Sequence, residues 1–161
     1  MLPLHAEPEI IPAEPTVLRP YQQECIDALR AYRRKPAKGS VGSRALVGMA
    51  TGCGKTIIFA HLPRMAKKRT LVIAHREELL DQAAGHLARI NPDKTVGVEQ
   101  ASRHAGAADI VVASIQTLSY SGRGRMERLE ALNPQDFSLI IVDEAHHSIA
   151  RTYVQTLHHF G

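Results

Sequence analysis

The chain has 161 residues, of which 44% are hydrophobic and 22% are charged, the ordinary balance of a single globular domain. Its net charge of +4 is only a weak indication of polyanion binding, because a solvated basic surface gives the same excess. Two cysteines are too few for a disulfide framework or a metal cluster, and no apolar run approaches a membrane span. We therefore expect a cytoplasmic or otherwise intracellular protein, in a reducing compartment and without a membrane partner.

The N-terminal region divides into a proline-rich lead-in and a helix. Residues 1–16 are rich in proline, which predicts a flexible, extended tail. From Pro20 the spacing becomes helical, and Pro36 ends the pattern. The apolar face predicted for this helix consists of Tyr21, Cys25, Ala28, Leu29 and Tyr32.

Apolar runs and helical patterns alternate along the rest of the chain. The predicted strands are RALVGMA, TLVIAH, TVGVE, DIVVAS and SLIIVDE. The predicted helices are KTIIFAHL, REELLDQAAGHLARI and RMERLEAL, with a last helical pattern at Tyr153, Val154, Leu157 and Phe160. Because the strands are continuous apolar runs, we expect an α/β fold with a mostly parallel sheet that is covered on both faces.

A glycine-rich turn, GMATGCGKT, follows the first predicted strand. Gly52 and Gly54 would allow backbone N–H groups to point inward, where a helix begins and favours negative charge. Lys55 could reach the β- and γ-phosphates of a nucleotide, and the Thr56 hydroxyl could bind Mg²⁺. The alternative is a glycine-rich strand-to-helix turn that binds no ligand.

Two adjacent carboxylates, Asp143 and Glu144, end the last predicted strand. Side chains at the carboxyl end of a buried parallel strand lie beside the ligand crevice. Asp143 could hold Mg²⁺ while Glu144 orients and deprotonates an attacking water, as phosphoryl transfer to water requires. A surface Asp-Glu pair is the better interpretation in isolation, but the glycine-rich turn earlier in the chain favours a catalytic site.

MATGCGKT and DEAH resemble motifs I and II of the superfamily 2 helicases and translocases. This family typically has A-x-x-G-x-G-K-T, which is approximated here around Met49 and Ala50, so a glycine is not expected at position 49, where the general phosphate-loop pattern has its first one. The resemblance implies a RecA-like P-loop NTPase domain with ATP as substrate and Mg²⁺ as cofactor. The loop residues that it implies for ATP binding are Ala50, Thr51, Gly52, Cys53, Gly54, Lys55 and Thr56. It implies catalytic roles for Lys55, Asp143 and Glu144, Mg²⁺ binding by Thr56 and Asp143, and a motif II formed by Asp143, Glu144, Ala145 and His146.

Three further stretches follow the family order. LRPYQQECI resembles the adenine-recognition motif, with Gln22 as the base-reading residue of the ATP site, although an ordinary amphipathic helix start is the better interpretation of this stretch alone. TLVIAHREELLDQ and VVASIQTL resemble motifs Ia and Ib. They imply contacts to nucleic-acid phosphates from Arg76, Ser114, Gln116 and Thr117. The alternatives are a helix N-terminus at residues 75–78 and a capped helix start at Ser114.

VDEAHHSIARTYVQTLHHFG is most similar to the DNA-directed branch that contains restriction-enzyme motor subunits, which implies DNA rather than RNA as partner. The family continues with a Ser-Ala-Thr strand and a second RecA-like domain, whose arginines complete the ATP site. We find neither in this sequence, so we expect residues 17–161 to form a first RecA-like domain whose sheet is incomplete at its C-terminal side.

Two hypotheses for the function follow. The first is the ATP-binding N-terminal part of an ATP-dependent DNA helicase or translocase, inactive as an isolated fragment. The second is a stand-alone nucleotide- or nucleic-acid-binding module without turnover.

Overall fold

The computed structural model describes residues 17–34, 44–50, 52–100, 102–119, 127–144 and 151–161. The α-helices in these ranges are α1 (Pro20–Arg34), α2 (Lys55–His61), α3 (Leu80–Ile90), α4 (Ile115–Ser119), α5 (Glu127–Glu130) and α6 (Arg151–Phe160). The strands are β1 (Arg69–Ala74), β2 (Val96–Glu99), β3 (Ile110–Ser114) and β4 (Phe137–Val142). Short 3₁₀ helices lie at Leu62–Met65, Glu77–Leu79 and Pro134–Asp136. The tail predicted at residues 1–16 lies outside the described residues.

The four strands form one sheet in the order β2-β3-β1-β4, and every pairing is parallel. Ala74 at the end of β1 lies opposite Ser114 of β3, and Ile73 lies opposite Val142 of β4. The carboxyl ends of these three strands therefore meet at one edge of the sheet. The predicted α/β fold with a parallel sheet is confirmed.

The core consists of two apolar layers, because successive strand residues point to opposite faces of the sheet. Val72 and Val112 pack with α2 and α3 on one face, and Leu71 and Val111 pack with α4 and α6 on the other. Both faces are thus covered by helices, as the continuous apolar runs predicted. Within the described residues, no helix is long and apolar enough to cross a membrane.

The segment before the glycine-rich turn is not a strand, so the prediction made from RALVGMA is wrong. Residues 44–50 have no regular secondary structure, and Leu46 is 82% exposed. An extended segment becomes a strand only when a neighbour satisfies its N–H and C=O groups. No strand in the described ranges pairs with this segment.

Helix α1 forms where it was predicted, but its buried face is different. Tyr21 and Tyr32, both placed on the predicted apolar face, are exposed, whereas Gln22 and Ile26 are buried. The predicted face is wrong because hydrophobicity alone was used to decide which side chains of α1 point inward. The face that packs towards α2 contains Gln22, whose side-chain amide is hydrogen-bonded to the backbone of Arg19 and Cys53.

The N-terminal ends of β2 and β3 are joined through Asp109. Its Oδ2 accepts hydrogen bonds from the amide and the hydroxyl of Thr95, both at 2.8 Å, and its own amide donates to the Thr95 hydroxyl at 3.0 Å. The bonds from the Thr95 amide and hydroxyl lower the pKa of Asp109, with further lowering by the charges of Lys94 and Arg69. The ionised carboxylate is thus favoured by folding.

Asp109→Asn should lower the melting temperature at pH 7 and do so progressively less at acid pH. The folded pKa lies below the unfolded value of about 3.9, so the stabilisation is fully present above the unfolded pKa and is lost as pH falls through the folded pKa. Thermal melts followed by circular dichroism between pH 7 and pH 2 measure this difference. Asp93→Asn, at an exposed turn, is the control for charge. A difference between wild type and Asp109→Asn that does not change with pH would contradict the assignment.

Candidate nucleotide-binding site

The glycine-rich turn delivers the chain into α2 through two residues with positive φ, Gly52 at 83° and Gly54 at 75°. Glycine adopts this conformation without the steric cost that a Cβ atom would add. Gly54 is the N-cap of α2, and no side chain caps this helix end. The amides of Ile57 and Ile58 donate to the carbonyl oxygen of Gly54. The amides of Lys55 and Thr56 are thus the ones left without a helical partner, and the helix dipole adds partial positive charge there. The loop thus presents N–H donors suited to an anion.

Helix α1 holds this loop through the carbonyl oxygen of Cys53. The Tyr21 hydroxyl donates to it at 3.0 Å, and Nε2 of Gln22 donates to it at 3.3 Å. Oε1 of Gln22 in turn accepts from the Arg19 amide at 2.9 Å. Gln22 is 4% exposed, and its amide joins the start of α1 to the loop. An amide has two N–H donors and two acceptor lone pairs, so these two bonds leave one donor and one acceptor position of Gln22 unused.

Ala50, the first residue of the loop, is also part of this arrangement. The Cys53 amide donates to the carbonyl oxygen of Ala50 at 3.3 Å, and Ala50 is exposed. Thr51 lies outside the described residues, as do Ala145 and His146 of motif II. Lys55 and Thr56 are half-buried and occupy the first two positions of α2.

Asp143 and Glu144 follow β4 directly at the carboxyl edge of the sheet. The Asp143 amide donates to the carbonyl oxygen of Ile73 at 3.0 Å, so the β4–β1 pairing continues one residue past the strand. Oδ1 of Asp143 accepts from the Glu144 amide at 2.9 Å. Glu144 has a φ of 53°, an uncommon conformation for a residue with a side chain. Such backbone strain clusters at functional sites.

Asp143 and Glu144 act electrostatically on a buried tyrosine of α6. Tyr153 of α6 is buried in the core layer formed with Leu71 and Ile73. Burial raises the pKa of its phenol, and the charges of Asp143 and Glu144 act in the same direction. The two carboxylates are therefore close enough to α6 to act on it electrostatically.

The oxygen atoms available at this site fit a magnesium ion. The Thr56 hydroxyl and Oδ2 of Asp143 make no hydrogen bond within the described part of the chain, and Mg²⁺ prefers such oxygen ligands. Among the same residues, no three His, Cys, Asp or Glu side chains converge on a common point.

The four candidate nucleic-acid contacts fall into an exposed pair and a buried pair. Arg76 and Gln116 are exposed, and Nε2 of Gln116 donates to the carbonyl oxygen of His75 at 2.8 Å. Ser114 and Thr117 are 0% and 8% exposed. The Ser114 hydroxyl accepts from the Thr117 amide at 3.0 Å, which is the capped helix start that the sequence offered as the alternative.

The sequence did not reveal the roles of Tyr21 and Glu77. Tyr21 was assigned to an apolar face, but its hydroxyl contacts the loop. Glu77 contacts the hydroxyls of Ser114 and Thr117, although a glutamate at a helix start is ordinary. The sequence features that indicated these roles were the position of Tyr21 beside Gln22 and that of Glu77 beside Arg76.

A family model described as Type III restriction enzyme, res subunit, matches residues 16–161. The chain belongs to this family. The resemblance to a restriction-enzyme motor subunit, drawn from VDEAHHSIARTYVQTLHHFG, is therefore confirmed.

Three curated relatives of this res-subunit domain carry helicase names. The chain is 37% identical over 153 residues to a Schizosaccharomyces pombe protein named mitochondrial ATP-dependent helicase irc3, covering 89% of this chain and 23% of the relative. It is 38% identical over 156 residues to Saccharomyces cerevisiae ATP-dependent helicase IRC3, covering 89% and 21%. It is 30% identical over 137 residues to ATP-dependent RNA helicase L396 of Acanthamoeba polyphaga mimivirus, covering 84% and 24%. The chain spans less than a quarter of each relative's length.

A solved structure supports the architecture of the res-subunit domain. The Sulfolobus solfataricus SWI2/SNF2 ATPase core in complex with dsDNA matches with a TM-score of 0.70 at 20% identity, covering 92% of this chain and 31% of that chain. At this identity the likeness concerns the fold alone. The fold is that of a RecA-like helicase core.

Gly54→Ala should destabilise the res-subunit domain and release the loop from α1. An ideal Cβ at Gly54 would lie 2.5 Å from Nε2 of Gln22, and its φ of 75° is strained for alanine. The left-handed backbone alone costs about 1–2 kcal/mol. Gly85→Ala is the matched control, because Gly85 lies within α3 and its added Cβ would meet nothing within 4 Å.

Urea unfolding of both variants measures the two effects. Gly85→Ala should raise the free energy of unfolding by about 0.5–1 kcal/mol, since alanine has the higher helix propensity. Equal stability of Gly54→Ala and wild type would show that the positive φ and the Gln22 contact are not required.

Proposed function

We propose that this chain is the ATP-binding N-terminal part of an ATP-dependent DNA helicase or translocase. The observation that carries the proposal is the pair of positive-φ glycines ahead of Lys55 and Thr56. The carboxylates at the end of β4 support it, because phosphoryl transfer to water needs both an anion site and acidic residues. Membership of the res-subunit family and the helicase names of the relatives agree with this proposal.

Each site residue has a distinct role in the proposed mechanism. The loop amides between Gly52 and Thr56 bind the phosphates, and Lys55 adds positive charge at the β- and γ-phosphates. Thr56 and Asp143 would hold Mg²⁺, which neutralises charge on the transferring phosphoryl group. Glu144 orients the attacking water and accepts its proton.

The proposed reaction needs groups that we do not find in this chain. Positive charge from an arginine finger contributes about 10³–10⁵ in rate to related reactions, and the family's finger arginines lie in a second RecA-like domain. We therefore propose that residues 17–161 form a first RecA-like domain, preceded by a flexible tail at residues 1–16. A second RecA-like domain in a longer parent protein would complete the site. In support, β4 pairs only with β1 within the described residues, which leaves its other edge open for a further strand.

We propose nucleic acid as the polymer along which the parent protein moves. The loops after β1 and β3 lie side by side at the carboxyl edge, where Arg76 and Gln116 are exposed. We propose DNA because the branch resemblance is to DNA-directed motors. The two cysteines are free, which agrees with an intracellular, reducing compartment.

Lys55→Ala should weaken Mg-ATP binding by about 1.5–3 kcal/mol, the range for a hydrogen bond to a charged group. Isothermal titration calorimetry on the full 161-residue chain measures this. Lys67→Ala removes the same charge from the exposed segment before β1 and should leave the affinity unchanged. Unaltered affinity in Lys55→Ala would exclude the loop as the phosphate site.

The 161-residue chain should hydrolyse ATP at a negligible rate, whereas a parent with the second domain should be a DNA-stimulated ATPase that Glu144→Gln inactivates. Phosphate release by both proteins, with and without duplex DNA or RNA, tests this difference. Glu144-dependent turnover by the short chain would refute the need for a second domain. Turnover in the parent that neither DNA nor RNA changes would indicate a different class of NTPase, and stimulation by RNA alone would show that RNA is the partner.

A further inference from the structure

The carboxylate of Glu77 lies where three loops meet at the carboxyl edge of the sheet. Its Oε1 accepts from the Ser114 hydroxyl at 3.2 Å and from the Thr117 hydroxyl at 3.4 Å. Ser114 is the last residue of β3, and Thr117 lies in α4, which follows directly. Its Oε2 accepts from Nε2 of Gln100 at 3.4 Å, directly after β2. Glu77 itself belongs to the 3₁₀ turn after β1. One carboxylate therefore connects the segments that follow β1, β2 and β3.

The contacts with the β3 loop form a closed network. The Ser114 hydroxyl lies 2.9 Å from the Thr117 hydroxyl and accepts from the Thr117 amide. Each hydroxyl has one proton, so the three side chains share two protons, and the carboxylate can only accept. Hydrogen bonds to an ionised acceptor are stronger than those between neutral groups. Glu77 thus accepts from the Thr117 hydroxyl and competes with that hydroxyl for the proton of Ser114.

The loop after β2 is held to the same place by further contacts. Gln100 and Arg103 form an antiparallel bridge, with amide-to-carbonyl distances of 3.1 and 2.7 Å. Arg103 also forms an ion pair with Asp81, at the start of α3. The Glu77–Gln100 bond therefore attaches to a segment that already contacts the region after β1.

The negative charge of Glu77 acts against the binding of phosphates. It follows Arg76 directly and is exposed, so it would repel a polyanion at the surface assigned to nucleic acid. The hydrogen bonds from the Ser114 and Thr117 hydroxyls and from Gln100 to Glu77 hold the loops in one arrangement. This can outweigh the repulsion only if the arrangement of the loops contributes to nucleic-acid binding.

We propose that Glu77 is a positioning residue for this surface, which orders the loops after β2 and β3 relative to Arg76 and weakens phosphate binding through its charge. This inference rests on the proposed binding of DNA. It predicts that two substitutions distinguish the effect of loop geometry on DNA binding from the effect of the Glu77 charge. Glu77→Gln keeps an oxygen acceptor for the hydroxyls and removes the charge. Glu77→Ala removes both.

Fluorescence anisotropy with a short labelled DNA duplex at low salt tests the proposal on the 161-residue chain. Glu77→Gln should bind about threefold more tightly than wild type, the Coulomb effect of unit charges roughly 7 Å apart in water. Glu77→Ala should bind less tightly than Glu77→Gln despite its equal charge. Glu78→Gln and Glu78→Ala should be indistinguishable from each other, because Glu78 makes no hydrogen bond within the described residues.

A second measurement on the free protein separates the positioning role from DNA binding. Hydrogen–deuterium exchange should be faster at the Thr117 amide in Glu77→Ala, and Glu77→Gln should restore the wild-type rate. Equal DNA affinity of Glu77→Gln and Glu77→Ala, or equal exchange in all three proteins, would overturn the proposal. If wild type binds no DNA, the nucleic-acid part of the proposed function fails, and a difference in exchange would leave Glu77 with a structural role alone.

Discussion

The parallel pairing of β1 with β3 and β4 is the constraint on which the rest of the structure depends. Parallel strands bring their carboxyl ends to the same edge, and here the register places Ala74 beside Ser114 and Ile73 beside Val142. The loops that carry Arg76, the α4 cap and the motif II carboxylates therefore begin next to one another. Apolar layers on both faces fix this register, because a slip of one residue would exchange the faces of every side chain.

The glycine-rich turn is positioned by hydrogen bonds from α1 and by the packing of α2, and not by strand pairing. The segment before it is not held in the sheet, whereas the Cys53 carbonyl accepts hydrogen bonds from Tyr21 and Gln22 of α1. On its other side the loop continues into α2, whose Ala60 packs with Val72 and Ile141 in one core layer. The start of α1 thus has a structural role before any nucleotide binds, since Tyr21 and Gln22 fix the loop that is proposed to hold the phosphates.

Sequence patterns predicted the elements well where burial decides the structure and poorly where specific polar contacts decide it. The runs around Leu71, Val111 and Ile140 are strands because their apolar side chains face helices on both sides. Residues 44–50 have a similar composition, but a strand also needs a paired neighbour, which composition does not encode. The inward orientation of Gln22 and the contacts of Glu77 depend on carbonyl and hydroxyl groups distant in sequence, so no local period reveals them. The glycine positions in the loop were predictable, because positive φ favours one residue type.

The crystal structure of this chain with Mg²⁺ and a non-hydrolysable ATP analogue tests the central claim most directly. The account predicts that the triphosphate contacts the backbone amides from Gly52 to Thr56 and the Lys55 ammonium group. It predicts the metal near the Thr56 hydroxyl and the Asp143 carboxylate, and the adenine within hydrogen-bond distance of the Gln22 amide. A nucleotide bound elsewhere, or a triphosphate that makes no contact with this loop, would contradict it.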